Sequence, residues 1–251
     1  MKVKKMITVL VILAGSIAAV SAHDKGDMML NIEPRIGIAI PDIGIVDRQT
    51  GIRDRDIPGM QTFSAGMDAG LQVSVHYYFF NFFAINTGLG FNIFTGIHNA
   101  EESILQNSGT LINVLVFGYA SIPIGFRFSL GAFAIGGGLT GNMPIDGGSA
   151  FQYSVIGSGS GGSSLPVDNG ADESFSLNPY MGWYFDVGFD LSGRRGRKGG
   201  FGMLARFEGS FSDKIAETGN PFFQYDPFRY FSVSLVFQAG IELANLPLGG
   251  K

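Results

Sequence analysis

Residues 63–77 read FSAGMDAGLQVSVHY. Every second side chain is apolar: Phe63, Ala65, Met67, Ala69, Leu71, Val73, Val75 and Tyr77. Those between are small or polar: Ser64, Gly66, Asp68, Gly70, Gln72, Ser74 and His76. This period of two is that of a β-strand with one apolar and one polar face. A helix would have to carry Gly66 and Gly70 in its interior, at about 1 kcal/mol each.

Working outward, seven more segments repeat the pattern: 30–40, 83–95, 110–128, 131–143, 179–191, 201–211 and 229–243. In 179–191, for example, Met181, Trp183, Phe185, Val187 and Phe189 alternate with Gly182, Tyr184, Asp186, Gly188 and Asp190. Segment 110–128 is apolar at both parities, and its register stays open. Eight strands are an even number, as bacterial membrane barrels require. Residues 42–60, 97–109, 142–178 and 213–228 are long connections, while 78–82, 128–131 and 192–200 are short. The fold class predicted is all-β: an eight-stranded antiparallel transmembrane β-barrel with an up-and-down meander. Short turns belong on the periplasmic side and long loops outside.

The charges decide which face meets lipid. Glu33, Arg35, Asp68, Asp186, Asp190, Arg206 and Glu208 all fall on the polar parity. Set against acyl chains at mid-depth, a charge costs about 2–4 kcal/mol. These seven are therefore expected to point inward as a structural polar network, and the Phe-rich faces outward. A soluble lipocalin-like barrel would invert that arrangement. An eight-stranded interior is just filled by side chains, so a porin-width channel is not expected. The turn around Gly196 sets Asp186 opposite Arg206, which predicts an inward salt bridge.

Composition agrees. Charged residues are 15% and Gly is 38 of 251. After the first 20 residues no apolar run approaches the 18 or so of a membrane helix. Lys2, Lys4 and Lys5 precede an apolar core, Met6 to Val20, and a small-residue cleavage site, Val20-Ser21-Ala22. Residues 1–22 are read as a cleaved signal peptide, 23–28 as an N-terminal tail, 29–244 as the barrel and 245–251 as a C-terminal tail. Removing residues 1–22 lowers the formal charge from −4 to −7, because it takes three Lys and no acid. That sign argues against nucleic acid or an anionic membrane surface as a partner. There is no Cys, hence no disulfide and no acylated cysteine.

Tyr77, Tyr78, Phe79, Phe80, Phe82 and Phe83 crowd the first short turn, where an interfacial aromatic girdle is expected. With these features in place, residues 29–244 resemble the small outer-membrane β-barrel superfamily, the eight-stranded OmpA/OmpX/OmpW-like and PorT-like barrels. Tyr119-Ala120-Ser121-Ile122-Pro123-Ile124-Gly125-Phe126 looks like the Y-x-x-I-P-hydrophobic strand of PorT-like proteins, with Ser121 where those often carry an acid. Gln238, Gly240, Ile241 and Leu243 resemble the terminal signal read by the barrel-assembly machinery. The resemblance implies outer-membrane lipids and that machinery as partners.

Candidate chemistry is sparse. The three His are His23, His98 and His76, and no two have metal-ligand spacing. His76 with a Ser and an acid would make a lipid-modifying barrel enzyme, but its face is inward and its end is that of the short turns. Asp42, Asp47, Asp54 and Asp56 are interleaved with Arg48, Arg53 and Arg55, which reads as a self-paired solvated loop. Gly136-Gly137-Gly138 precedes no helix and is no phosphate cradle. No cofactor and no metal are expected. The function read is a non-enzymatic outer-membrane barrel that presents surface loops over a closed or nearly closed interior. The alternative is a narrow channel or carrier for small or apolar solutes. The surface ligand is left open.

Overall fold

The structure is a computed structural model. It describes residues 24–41, 45–47, 51, 63–101, 110–145, 152–156, 176–191, 199–211, 215–217, 223–225 and 229–245. The signal segment, the Gly/Ser tract at 157–164, the basic turn at 194–198 and the tail beyond residue 245 lie outside these.

Eight long strands follow one another: β1 Asp27–Pro41, β2 Phe63–Phe80, β3 Phe83–Glu101, β4 Thr110–Leu130, β5 Phe133–Pro144, β6 Tyr180–Asp190, β7 Gly199–Ser210 and β8 Tyr230–Asn245. Each pairs antiparallel with its sequence neighbours, and β1 pairs with β8, from Asp27 opposite Asn245 to Pro41 opposite Tyr230. The chain is a closed eight-stranded antiparallel β-barrel of up-and-down topology. Closure leaves no sheet edge along the wall, the condition for crossing hydrocarbon with strands.

The two-residue periodicity becomes an inside and an outside. Along β8, Phe231, Val233, Leu235 and Phe237 are exposed, while Ser232, Ser234, Val236 and Gln238 are buried. All eight strands carry large exposed apolar side chains, among them Ile38, Leu71, Leu89, Ile124, Leu139, Phe189 and Met203. A surface apolar all round is stable only against lipid.

Short turns join β2 to β3 and β4 to β5. The second uses Gly131 at φ 69°, where a side chain would strain the backbone. At mid-wall, Pro123 has no N–H to give the ladder, and Thr87 Oγ1 donates to its carbonyl at 3.0 Å.

The wall is uneven. β2, β3 and β4 have 18, 19 and 21 residues, whereas β5, β6 and β7 have 12, 11 and 12. The surplus rises at the long-loop end, where residues 152–156 add to residues 110–114 of β4. The long connections are also laced together. Ile45–Asp47 pairs with Phe223–Tyr225, and Ser176–Leu177 pairs with Ile215–Glu217.

Candidate functional site

The inward faces form the one concentration of polar chemistry among the described residues. They fill the barrel in tiers from the short-turn end upward.

The lowest tier is Met29, Tyr78 and Ala84, packed together, with Tyr78 Oη 3.5 Å from Ser129 Oγ. Above it Arg127 reaches from β4 across the lumen. Its Nη1 donates to Gln238 Oε1 at 2.6 Å and lies 3.2 Å from Asp190 Oδ2. Gln238 Nε2 in turn donates to Asn31 Oδ1 at 2.9 Å.

The middle tier is centred on Arg206. Asp186 is its direct cross-strand partner, and the guanidinium grips it twice, Nε to Oδ1 and Nη2 to Oδ2, both at 2.8 Å. This bidentate fork is the strongest pairing geometry a guanidinium has. Arg206 also donates to Gln72 at 3.0 Å and to Glu33 at 3.4 Å. Its flat face lies 5.0 Å from the centre of the Tyr184 ring, and Asn86 donates to Tyr184 Oη at 3.0 Å. Space for these side chains comes from inward glycines. A Cβ on Gly125 would sit 2.2 Å from Tyr184 Oη, and one on Gly70 would sit 2.6 Å from Asn92 Oδ1 and 3.0 Å from Arg35 Nε.

In the next tier Arg35 bonds Glu208 and lies 3.3 Å from Asp68. Tyr230 Oη donates to Glu208 at 2.7 Å, and Tyr180 Oη to Tyr230 Oη at 3.2 Å. Phe94, Tyr119, Tyr180 and Tyr230 then close ranks as an aromatic tier, with centroids 4.5 Å apart for Phe94–Tyr230 and 4.9 Å for Tyr119–Tyr180.

All seven charged residues singled out in the sequence are buried, none more than 6% exposed. Three of them, Asp186, Arg206 and Glu33, meet around one guanidinium. Arg35, Asp68 and Glu208 meet around another, and Asp190 joins Arg127. Arg127 itself was missed. Its strand is apolar at both parities, yet a lone charge in a lipid-crossing strand has to face inward. That rule places Tyr119, Ser121, Pro123 and Arg127 inside together, as observed.

Of the six aromatics expected in the girdle, Tyr78 is a correction. It shares the parity of His76 and is 1% exposed, inside the barrel. The other five stay off the interior tiers. Tyr77 and Phe79 pack edge to face at 4.8 Å, Phe80 and Phe82 stack at 5.8 Å, and Phe83 lies 5.0 Å from Phe128.

The Ser–His–acid question has a geometric answer. Ser74 Oγ is 3.0 Å and Glu33 Oε1 is 3.6 Å from the same atom, His76 Nε2. Ser74 Oγ also lies 2.9 Å from Glu33 Oε1. A nucleophile relay needs the serine on one ring nitrogen and the acid on the other. All three side chains are buried. No cluster of three His, Cys, Asp or Glu able to hold a metal occurs among the described residues. The side chains of Asp42, Asp47, Asp54, Asp56, His23 and His98 lie outside the described set.

No protein-family model and no curated protein matches the chain. Among solved structures it is similar to the outer membrane protein OprG from Pseudomonas aeruginosa (14% identity, 87% of this chain and 98% of that one, TM-score 0.45). It is similar also to the outer membrane protein AlkL (12%, 91% and 95%, 0.40) and to Ail, the attachment invasion locus protein of Yersinia pestis (13%, 84% and 99%, 0.31). A closed wall of eight antiparallel strands, apolar outside and charged inside, admits one solvent arrangement: the chain is a transmembrane β-barrel of the outer-membrane kind.

Proposed function

We propose that this protein is a non-enzymatic integral outer-membrane barrel that anchors surface loops over a closed or nearly closed interior. The observation carrying the reading is the stack of ion pairs. Arg127, Arg206 and Arg35 each reach acids in successive tiers, and these side chains are buried on every side. Water and ions have to displace paired charges at each level to pass. The lacing of residues 45–47 to 223–225 and of 176–177 to 215–217 supports the loop-presenting role, since tied loops hold a defined surface. Its partners on this reading are outer-membrane lipids and the barrel-assembly machinery; its surface ligand is open.

Single-channel recording of refolded protein in a planar bilayer tests the interior. The expected result is no steady conductance above the bare bilayer. A steady open level of tens of picosiemens would turn the reading to the alternative, a narrow channel for small solutes, with the tiers as its constriction.

The same reading puts both termini in the periplasm and the long loops outside. Protease added to intact cells is expected to cut within 142–178 and to spare Arg194 to Lys198 until the outer membrane is opened. Tryptic cleavage at the basic turn in intact cells, with the long loop protected, would invert the orientation.

A further inference from the structure

At the short-turn end an open groove of about 390 Å³ runs along the outside of the wall, lined by Lys25, Tyr77, Phe79, Phe80, Phe83 and Ile85. We propose that this groove binds one anionic glycerophospholipid of the leaflet adjoining the short turns, its phosphate on Lys25 and its acyl chains along the aromatic wall. The proposal rests on the transmembrane reading and adds to it a specific ligand.

The site is built locally. Asp24 N donates to Asp27 Oδ2 at 2.7 Å and Asp27 N to Asp24 O at 3.2 Å, which close a tight turn. Gly26, at φ 92°, then donates its N–H to Tyr78 O at 2.8 Å. The turn is thereby fastened to β2, and Lys25 stands exposed over the groove. Tyr77 lies opposite Ile85 in the β2–β3 register, and with Phe79 set edge-on they make an apolar wall continuous with the lipid-facing band. A ligand here needs an anion at one end and hydrocarbon at the other. A soluble anion leaves the wall uncovered, and a zwitterionic lipid offsets its phosphate with its own ammonium.

Charge along the chain points the same way. In the sequence, the β6–β7 connection 192–198 carries Arg194, Arg195, Arg197 and Lys198 and no acid, while Lys25 stands between Asp24 and Asp27. The long connections 42–62, 102–109, 145–179 and 211–229 carry twelve acids against five bases. Basic side chains at one membrane face recruit anionic lipid to it.

Native mass spectrometry of the full-length mature protein, released from nanodiscs of phosphatidylethanolamine with a minor share of phosphatidylglycerol, tests this. The wild type is expected to retain one phosphatidylglycerol with about fivefold preference over its share. Lys25→Ala is expected to abolish the preference and Lys25→Glu to reverse it. Migration as a heat-modifiable folded barrel checks insertion in every sample. Folded, inserted wild type without preference, or Lys25→Ala keeping it, would overturn the lipid site alone. A wild type that does not insert would overturn the transmembrane reading as well.

Discussion

Replacing Arg206 with Leu is expected to lower the unfolding free energy of the refolded barrel by about 3–5 kcal/mol. The change removes both hydrogen bonds to Asp186 and those to Gln72 and Glu33. Two carboxylates are then left in the lumen without their main counter-charge, and each costs more than the pair did. Removing Asp186 as well, in Arg206→Leu with Asp186→Leu, is expected to recover a large part of the loss. Glu33 keeps Gln72 and Ser74 as donors. Urea titration in lipid vesicles, read from the fluorescence of the chain's single Trp, Trp183 on β6, gives both numbers. A single-variant loss under about 1 kcal/mol would show that Arg206 is not the hub of its tier.

Leu235→Arg is expected to cost roughly 2–4 kcal/mol, the price of a basic side chain near the bilayer midplane. Leu235 is 48% exposed on the outside of β8 and faces Ile36 and Ala205 across its two seams. One residue away the outcome reverses. Ser234 is buried, and its hydroxyl has no hydrogen-bond partner among the described residues, so Ser234→Ala is expected to be near neutral. The yield of folded barrel in vesicles, scored by heat-modifiable migration, compares the two. Equal tolerance would mean that the inside and outside of β8 are wrongly assigned.

Much of this was legible because lipid forces a simple code. Asp68, Asp186 and Glu208 each sit among alternating neighbours, so one charge per strand sets the parity of the whole strand. A turn centred on Gly196 was enough to pair Asp186 with Arg206, since hairpin register is local. Contacts across the lumen were not legible. Arg35 on β1 meets Glu208 on β7, with β8 between them, and Arg127 on β4 meets Gln238 on β8. Such partners depend on the stagger of the closed wall, which no single segment encodes. Tyr78 was misread because in a run of six aromatics composition hides parity. The count from His76 carries it.

Among the described residues, the unequal strands make the wall taller along β2 to β4 than along β5 to β7. Strands β2 to β4 are longer than β5 to β7 by six to ten residues, roughly 20–33 Å along the strand at about 3.3 Å per residue. The taller side stands as a curved palisade, widened by residues 152–156, and the shorter one as a sill. Along the described strands, the pairing of β2 with β3 and of β3 with β4 therefore climbs past the level at which β5 to β7 stop, so the barrel wall carries a three-stranded ladder beyond its closed girth.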